Sequence, residues 1–215
     1  MPNTKSYSKA KQGNKKLSDN FIVKEFACKD GSDTILIDHD LVPLSQRFRE
    51  YVEASVWFNS AYRTASYNKK VGGATKSYHV RGQALDIPFS SKYKHLTSVD
   101  RMCAFFNALG VKGIIRYSNF VHIDTRATKY HADNNSNYLT YGKVRIPFRQ
   151  KLQRDSKCVD VGILQFKLGK LGYDVGNADM IFGGQTERAV RKFQSNNGLT
   201  VTGVVDAQTW NKLFN

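Results

Sequence analysis

Ser60-Ala61-Tyr62-Arg63-Thr64, then Ser77-Tyr78-His79-Val80-Arg81-Gly82-Gln83-Ala84-Leu85-Asp86, and downstream Phe120-Val121-His122-Ile123-Asp124, decide how this chain is read. A histidine, an aspartate seven residues later and a second, distant histidine are donors of the kinds that Zn²⁺ takes in catalytic sites, where a fourth position stays open for water. Gly82 and Ala84 are small, as a crowded ligand loop requires. His122 and Asp124 lie two apart in an apolar run that reads as a strand, so their side chains share a face.

Outward from that core, Gly113–Tyr117 and Phe120–Asp124 read as two strands joined by a tight polar turn at Ser118-Asn119. Trp57–Ser60 reads as a short strand entering a loop. Leu41, Leu44, Phe48 and Tyr51-Val52 recur at helical spacing, with Asp38 or Asp40 available as cap. Residues 97–109 give a second amphipathic helix with Gly110 as its C-cap. Helices with a small antiparallel sheet predict an α+β domain over 17–140. After it, Val161, Leu164, Leu168 and Leu171 form a helical stripe ended by Gly172. Thr186 is placed to cap a second helix, and Asp206 a third ending in Trp210, Leu213 and Phe214. Residues 157–215 therefore read as a small all-α three-helix domain.

The chain has 215 residues and a formal net charge of +15, with 40% hydrophobic and 12% aromatic residues, enough for packed cores. The charge is uneven. Residues 1–16 hold five lysines and no acid, and 141–156 hold five basic residues against one acid. These two segments read as a disordered basic arm and a basic linker, suited to anionic wall polymers or a membrane surface. No nucleic-acid motif accompanies the charge, so no specific nucleic-acid partner is expected. Cys28, Cys103 and Cys158 form no CxxC pair and read as inert thiols. No apolar run approaches the ~18 residues of a membrane span, and the polar start does not read as a secretory signal.

Gln165, Leu171-Gly172-Tyr173, Phe182-Gly183, Thr186, Ala189-Val190, Phe193-Gln194, Gly198-Leu199, Thr202-Gly203 and Thr209-Trp210 occur in an order that resembles the three-helix peptidoglycan-binding module of cell-wall hydrolases. Asp179-Met180-Ile181 stands where that family usually has an Asp-Gly turn. Residues 17–130 resemble the zinc D,D-carboxypeptidase and endopeptidase family, which includes phage endolysins. The likeness is carried by Glu25-Phe26-Ala27-Cys28, the Ser60–Thr64 and Ser77–Asp86 motifs, Tyr67-Asn68, Gly72-Gly73, Arg116-Tyr117 and Phe120–Asp124.

That resemblance implies Zn²⁺ held by His79, Asp86 and His122. It implies an oxyanion or substrate-carboxylate role for Arg63, with Ser77 in support. Family members place an acid three residues before the second histidine, or another histidine two before it. Here those positions are Asn119 and Phe120, which cannot take a proton. Asp124 is the expected substitute as general base. Orienting a ligand comes second, and direct ligation with His122 as base comes third. His39 and His95 are expected to be exposed, and His131 has a weaker claim to the cleft.

The expected function is a monomeric zinc peptidase of bacterial peptidoglycan. It would be an endolysin held in the host cytoplasm until lysis and acting afterwards at the periplasm or wall. A catalytically silent peptidoglycan-binding protein of the same fold is the alternative. L-Ala–D-Glu, D-Ala–meso-diaminopimelate and D-Ala–D-Ala bonds all suit the site.

Overall fold

A four-stranded sheet and a 3₁₀ turn carry the three candidate ligands, and a separate two-stranded sheet near the N-terminus packs against that turn. The computed structural model describes residues 3–133 and 144–214, with the backbone alone for 131–133. The exit loop expected around Asn134–Asn137 and the first residues of the basic connector lie outside the described residues.

Residues 4–12, expected as disordered, are folded. Strand β1 (Thr4–Ser8) pairs antiparallel with β2 (Thr34–Asp38), from Thr4 opposite Asp38 to Ser8 opposite Thr34. A short helix α1 (Lys9–Gln12) follows, its N-terminus capped by the Ser8 hydroxyl. Only Tyr7 of the strand goes inward, against a core that includes Ile35 and Ile37. Pairing uses the backbone, so lysines on an edge strand keep their ammonium groups in water, and a charge run does not prevent it.

Helix α2 (Leu41–Val52) buries Leu41, Leu44, Phe48 and Val52 as their spacing predicts. It also buries Ser45, Gln46 and Arg47, because a helix of the second domain covers its other side. Neither expected aspartate caps it by side chain: Asp40 occupies the cap position without a side-chain bond, and Asp38 Oδ1 accepts from Asp40 N.

A helix α3 (Ala65–Lys70) and a 3₁₀ turn (Tyr78–Arg81) lead to β3 (Ala84–Pro88). Helix α4 (Val99–Leu109) is capped by Ser98 and closed by Gly110 at φ 93°. Then come β4 (Gly113–Arg116), β5 (Phe120–Asp124) and β6 (Tyr130–Asp133). The sheet order is β3-β5-β4-β6, antiparallel except for the parallel β4–β6 edge. Trp57–Ser60 is not a strand. Trp57 is 49% exposed, and only Ser60 makes an isolated bridge, to Asp86.

The second domain has the three expected helices: α5 (Val159–Lys170), α6 (Gly184–Asn196) and α7 (Ala207–Phe214). Asp206 accepts from Thr209 N as expected for a cap. Thr186 does not cap α6; it is buried and accepts from Gln165 Nε2. Gln165 also binds Asp179 Oδ1 and Ile181 O, and Gln194 in the same way holds Thr202 and Val204. Each buried amide fixes the loop that follows its helix.

The described part of the basic connector is packed rather than free. Val144, Ile146 and Leu152 are buried while Arg145 and Arg149 are exposed, a strand-like alternation. Trp210 Nε1 donates to Ile146 O, and Leu152 exchanges backbone hydrogen bonds with Val205. Burying three apolar side chains offsets the ordering of a segment whose charges remain solvated. Core residues of both domains join in one hydrophobic cluster. Across their interface Arg47 and Asp160 form a buried ion pair at 3.3 Å.

Candidate metal centre

Three elements bring the candidate ligands together. His79 comes from the 3₁₀ turn, whose start is fixed by Ser77 Oγ accepting from His79 N. That turn ends at Gly82, with φ 67°. A Cβ there would stand 2.3 Å from Leu36 O, so the close approach of the turn to β2 requires glycine. Asp86 and His122 face each other across the β3–β5 pair. All three are buried, and one ligand atom from each lies within 4.8 Å of the others.

The donor atoms point at one another. Asp86 Oδ1 is 2.8 Å from His122 Nδ1 and 3.1 Å from His79 Nε2, and the two nitrogens are 3.2 Å apart. The outer nitrogens are engaged. His79 Nδ1 meets Ala61 O at 2.6 Å, and His122 Nε2 meets Asp124 Oδ2 at 3.2 Å. A carbonyl and a carboxylate can only accept, so each outer nitrogen keeps its proton, and each inner nitrogen offers a lone pair once a cation displaces the proton it shares with Asp86 Oδ1. Two lone pairs and a carboxylate oxygen converging in a buried pocket demand a cation. Neutral imidazoles with a carboxylate are a donor set that zinc takes, and outer partners of this type hold ligating histidines in place. The residues present therefore fit zinc.

The local electrostatics agree. Burial alone would raise the Asp86 pKa, but hydrogen bonds from His122 and His79 hold it well below the carboxylate range. Burial would lower that of His122, but Asp124 and Asp86 raise it above the usual imidazole value. The pocket draws in positive charge, as a proton or as a metal ion.

Asp124 is not where a general base must be. It is 1% exposed and lies on the outer side of the His122 ring, so the imidazole separates it from the inner donor atoms. Arg126 grips it through Nε and Nη2 at 2.7 and 2.5 Å, and the Arg126 guanidinium lies over the rings of Tyr78 and Tyr130. Burial works against the ionised form, but His122 and Arg126 lower the Asp124 pKa to about 2. This geometry does not favour the expectation that Asp124 takes a proton from water. Its place is that of a carboxylate orienting His122 from behind.

Arg63 differs in emphasis from expectation. Its Nη2 donates to Asp86 Oδ2 at 2.7 Å and its Nε to Ser60 Oγ at 2.6 Å, so it clamps the carboxylate that presents Oδ1 inward. Among the described residues, Nη1 has no hydrogen-bond partner. The cleft in front has a volume of 520 Å³, with Lys76, Tyr117, Phe120 and Tyr130 among its walls. Among the described residues lining it, Asp86 is the one carboxylate, and His79 and His122 are the imidazoles.

His39 departs from its expected exposure. It is half-buried against Tyr7, whose hydroxyl is 2.5 Å from Nε2. His95 is exposed beside Glu53. The His131 side chain is outside the described part. Sequence reasoning missed Arg126, although its position two after Asp124 was a readable signal. It also missed Gly113, opposite Asp124 on β4, where a Cβ would lie 2.0 Å from Asp124 Oδ1.

Two family profiles match the chain. One, described as Peptidase M15, covers residues 17–124, and the other, a putative peptidoglycan binding domain, covers 159–213. Among solved structures, a peptidoglycan-binding protein from Clostridioides difficile, in complex with glutamine hydroxamate, is 35% identical over 30% of this chain and 40% of its own, with a TM-score of 0.29. The SleB N-terminal domain is 39% identical over 30% of this chain and 88% of its own, also with a TM-score of 0.29.

Proposed function

Since the chain belongs to the peptidase M15 family and carries a peptidoglycan-binding domain, we propose that it is a zinc-dependent peptidase of the bacterial cell wall. The observation that carries this reading is the convergence of His79 Nε2, Asp86 Oδ1 and His122 Nδ1, with both outer imidazole nitrogens already engaged. Those three residues would hold the ion. When bound, zinc polarises a carbonyl and acidifies water to a pKa of about 7. The protein's own contribution is positional. Ala61 O and Asp124 fix the two rings, Arg63 fixes Asp86, and Arg63 Nη1 is available to the carbonyl oxygen as charge develops on it. Tyr117 and Phe120, stacked with ring centroids 4.1 Å apart, form an apolar wall for the peptide.

The pairing of a peptidase with a peptidoglycan-binding domain supports an enzyme directed at intact wall, an endolysin released from the host cytoplasm at lysis. The substrate is then an amide of the stem peptide or cross-bridge, cut by D,D- or L,D-specificity. A groove of 740 Å³ beside α1, lined by Lys9, Lys11, Lys15 and Lys24, supports an added attraction to anionic wall polymers or a membrane surface.

The cleft has no carboxylate or imidazole beyond the three candidate ligands among its described residues, which favours one second reading: a silent peptidoglycan-binding protein. Purified sacculi separate the two. A peptidase lowers their turbidity, loses that activity to a chelator and regains it with Zn²⁺, and mass spectrometry of defined muropeptides then identifies the bond. A zinc-loaded protein that binds sacculi and releases nothing is the silent form.

A further inference from the structure

We propose that Lys170, on the first helix of the peptidoglycan-binding domain, is a positioning residue for the metal centre of the peptidase domain. Its Nζ donates to Thr125 O at 2.9 Å and to Arg126 O at 3.2 Å, across the interface between the two domains. Those carbonyls belong to the two residues that follow Asp124 as β5 ends.

From there the connection to the metal site is short and continuous. Arg126 grips the Asp124 carboxylate through two nitrogens and also through its backbone N–H, at 3.1 Å. Asp124 Oδ2 meets His122 Nε2, and His122 Nδ1 is a candidate ligand atom. The Arg126 backbone therefore fixes where its guanidinium starts, and Lys170 fixes the Arg126 backbone.

The segment has other anchors, but each holds a different atom. Thr125 N donates to Gln83 O, and Thr125 Oγ1 donates to Asp38 Oδ2 at 2.7 Å. The ammonium on the carbonyl side completes the set. Lys170 itself has little freedom. It is the last residue of α5, where a cation is favoured by the helix dipole, and its Nζ lies 4.9 Å from the Phe166 ring centroid. A charge-assisted bond from a half-buried ammonium to two consecutive carbonyls is among the stronger neutral-acceptor contacts available to a side chain.

Lys167 supplies the contrast. One turn earlier on α5, its Nζ donates to Ala108 O at 2.9 Å, near the end of α4. It bridges the same two domains without touching the Thr125–Arg126 segment. The peptidoglycan-binding domain thus does two separable things at this interface, general bracing through Lys167 and support of the β5 exit through Lys170.

The inference rests on the zinc reading, and full-length variants test it by zinc affinity measured in competition with a chromophoric chelator, with melting temperature alongside. Lys170→Met is expected to weaken zinc binding about 3–10-fold, less than the roughly 10–100-fold typical of losing a ligand's direct partner. Lys170→Arg, which keeps a cationic donor, is expected to recover most of that loss, and Lys170→Gln, which removes the charge but keeps a polar side chain, is measured against the same criteria if Lys170→Met does not fold. Lys167→Met is expected to lower the melting temperature and leave zinc affinity at the wild-type value. Equal zinc affinity in wild type and Lys170→Met overturns the proposal, as does an equal loss in Lys167→Met. A wild-type protein that takes up no zinc overturns the metallopeptidase reading instead, and with it the ground on which this inference stands.

Discussion

His122 presents Nδ1 to Asp86 at 2.8 Å and Nε2 to Asp124 at 3.2 Å, so one imidazole separates Asp124, the acid of β5, from the cleft. Asp124→Ala is therefore expected to act through the metal. Zinc affinity should fall about 10–100-fold, as it does when a ligating histidine loses its carboxylate partner. Asp124→Asn should lose less, because an amide oxygen still accepts from Nε2–H. Chelator competition measures both. Wild-type zinc affinity in Asp124→Ala with turnover abolished would restore the proton-transfer role.

Gly113 is tied to the same carboxylate. A methyl group at that position would meet Asp124 Oδ1 at 2.0 Å, inside a buried part of the sheet. Gly113→Ala should cost about 1–3 kcal/mol, the usual range for overpacking. It should lower zinc affinity at the same time, since Asp124 is the group that must move. Urea denaturation and metal content on one sample check whether the two losses travel together.

The buried Arg47–Asp160 pair joins α2 to α5. Burial depresses the Arg47 pKa and raises that of Asp160, each partly offset by the charge of the other. Arg47→Met should destabilise the protein by about 3 kcal/mol, because it leaves a buried carboxylate without its cation. Arg47→Met combined with Asp160→Asn should recover much of that cost. Denaturation midpoints of the single and double variants decide, and an additive loss would argue against a coupled pair.

Two adjacent residues should pull stability in opposite directions between pH 6.5 and 4. Burial and then Lys5, with Lys15 also near, lower the His39 pKa to about 4, against a partial rise from Asp38. The unfolded state then binds more protons through this window, so His39 removes stability as pH falls. Burial and then Asp38 raise the Asp40 pKa to about 6, against Lys170. The folded state binds more protons at Asp40, so this group adds stability as pH falls. Against wild type, His39→Gln should gain stability on acidification from pH 6 to 4, and Asp40→Asn should lose it. Melting temperatures across that range test both signs.

Much of the architecture was readable because it depends on local period. The Leu41–Val52 and Val161–Leu168 stripes are helical by spacing alone, Gly110 closes α4 as expected, and Asp206 caps α7. The errors came where tertiary partners outweighed composition. Lysines in 1–16 suggested disorder, yet the ladder to β2 engages only the backbone, and Tyr7 supplies the burial. The basic connector suggested a linker, although Val144, Arg145 and Ile146 already alternate as a packed segment does.

The sequence by itself determined the chemistry of the centre: two imidazoles and a carboxylate, the second histidine on a strand, with an arginine nearby. Residue type fixes what an atom can donate or accept, and strand period fixes which side chains share a face. Only the tertiary structure decided how those atoms are used. His122 turns one nitrogen inward and one toward Asp124, Arg63 spends two of its nitrogens on Ser60 and Asp86, and Lys170 reaches the β5 exit from the other domain. Those choices depend on ring orientation and on partners 23 to 45 residues away, which no local pattern encodes.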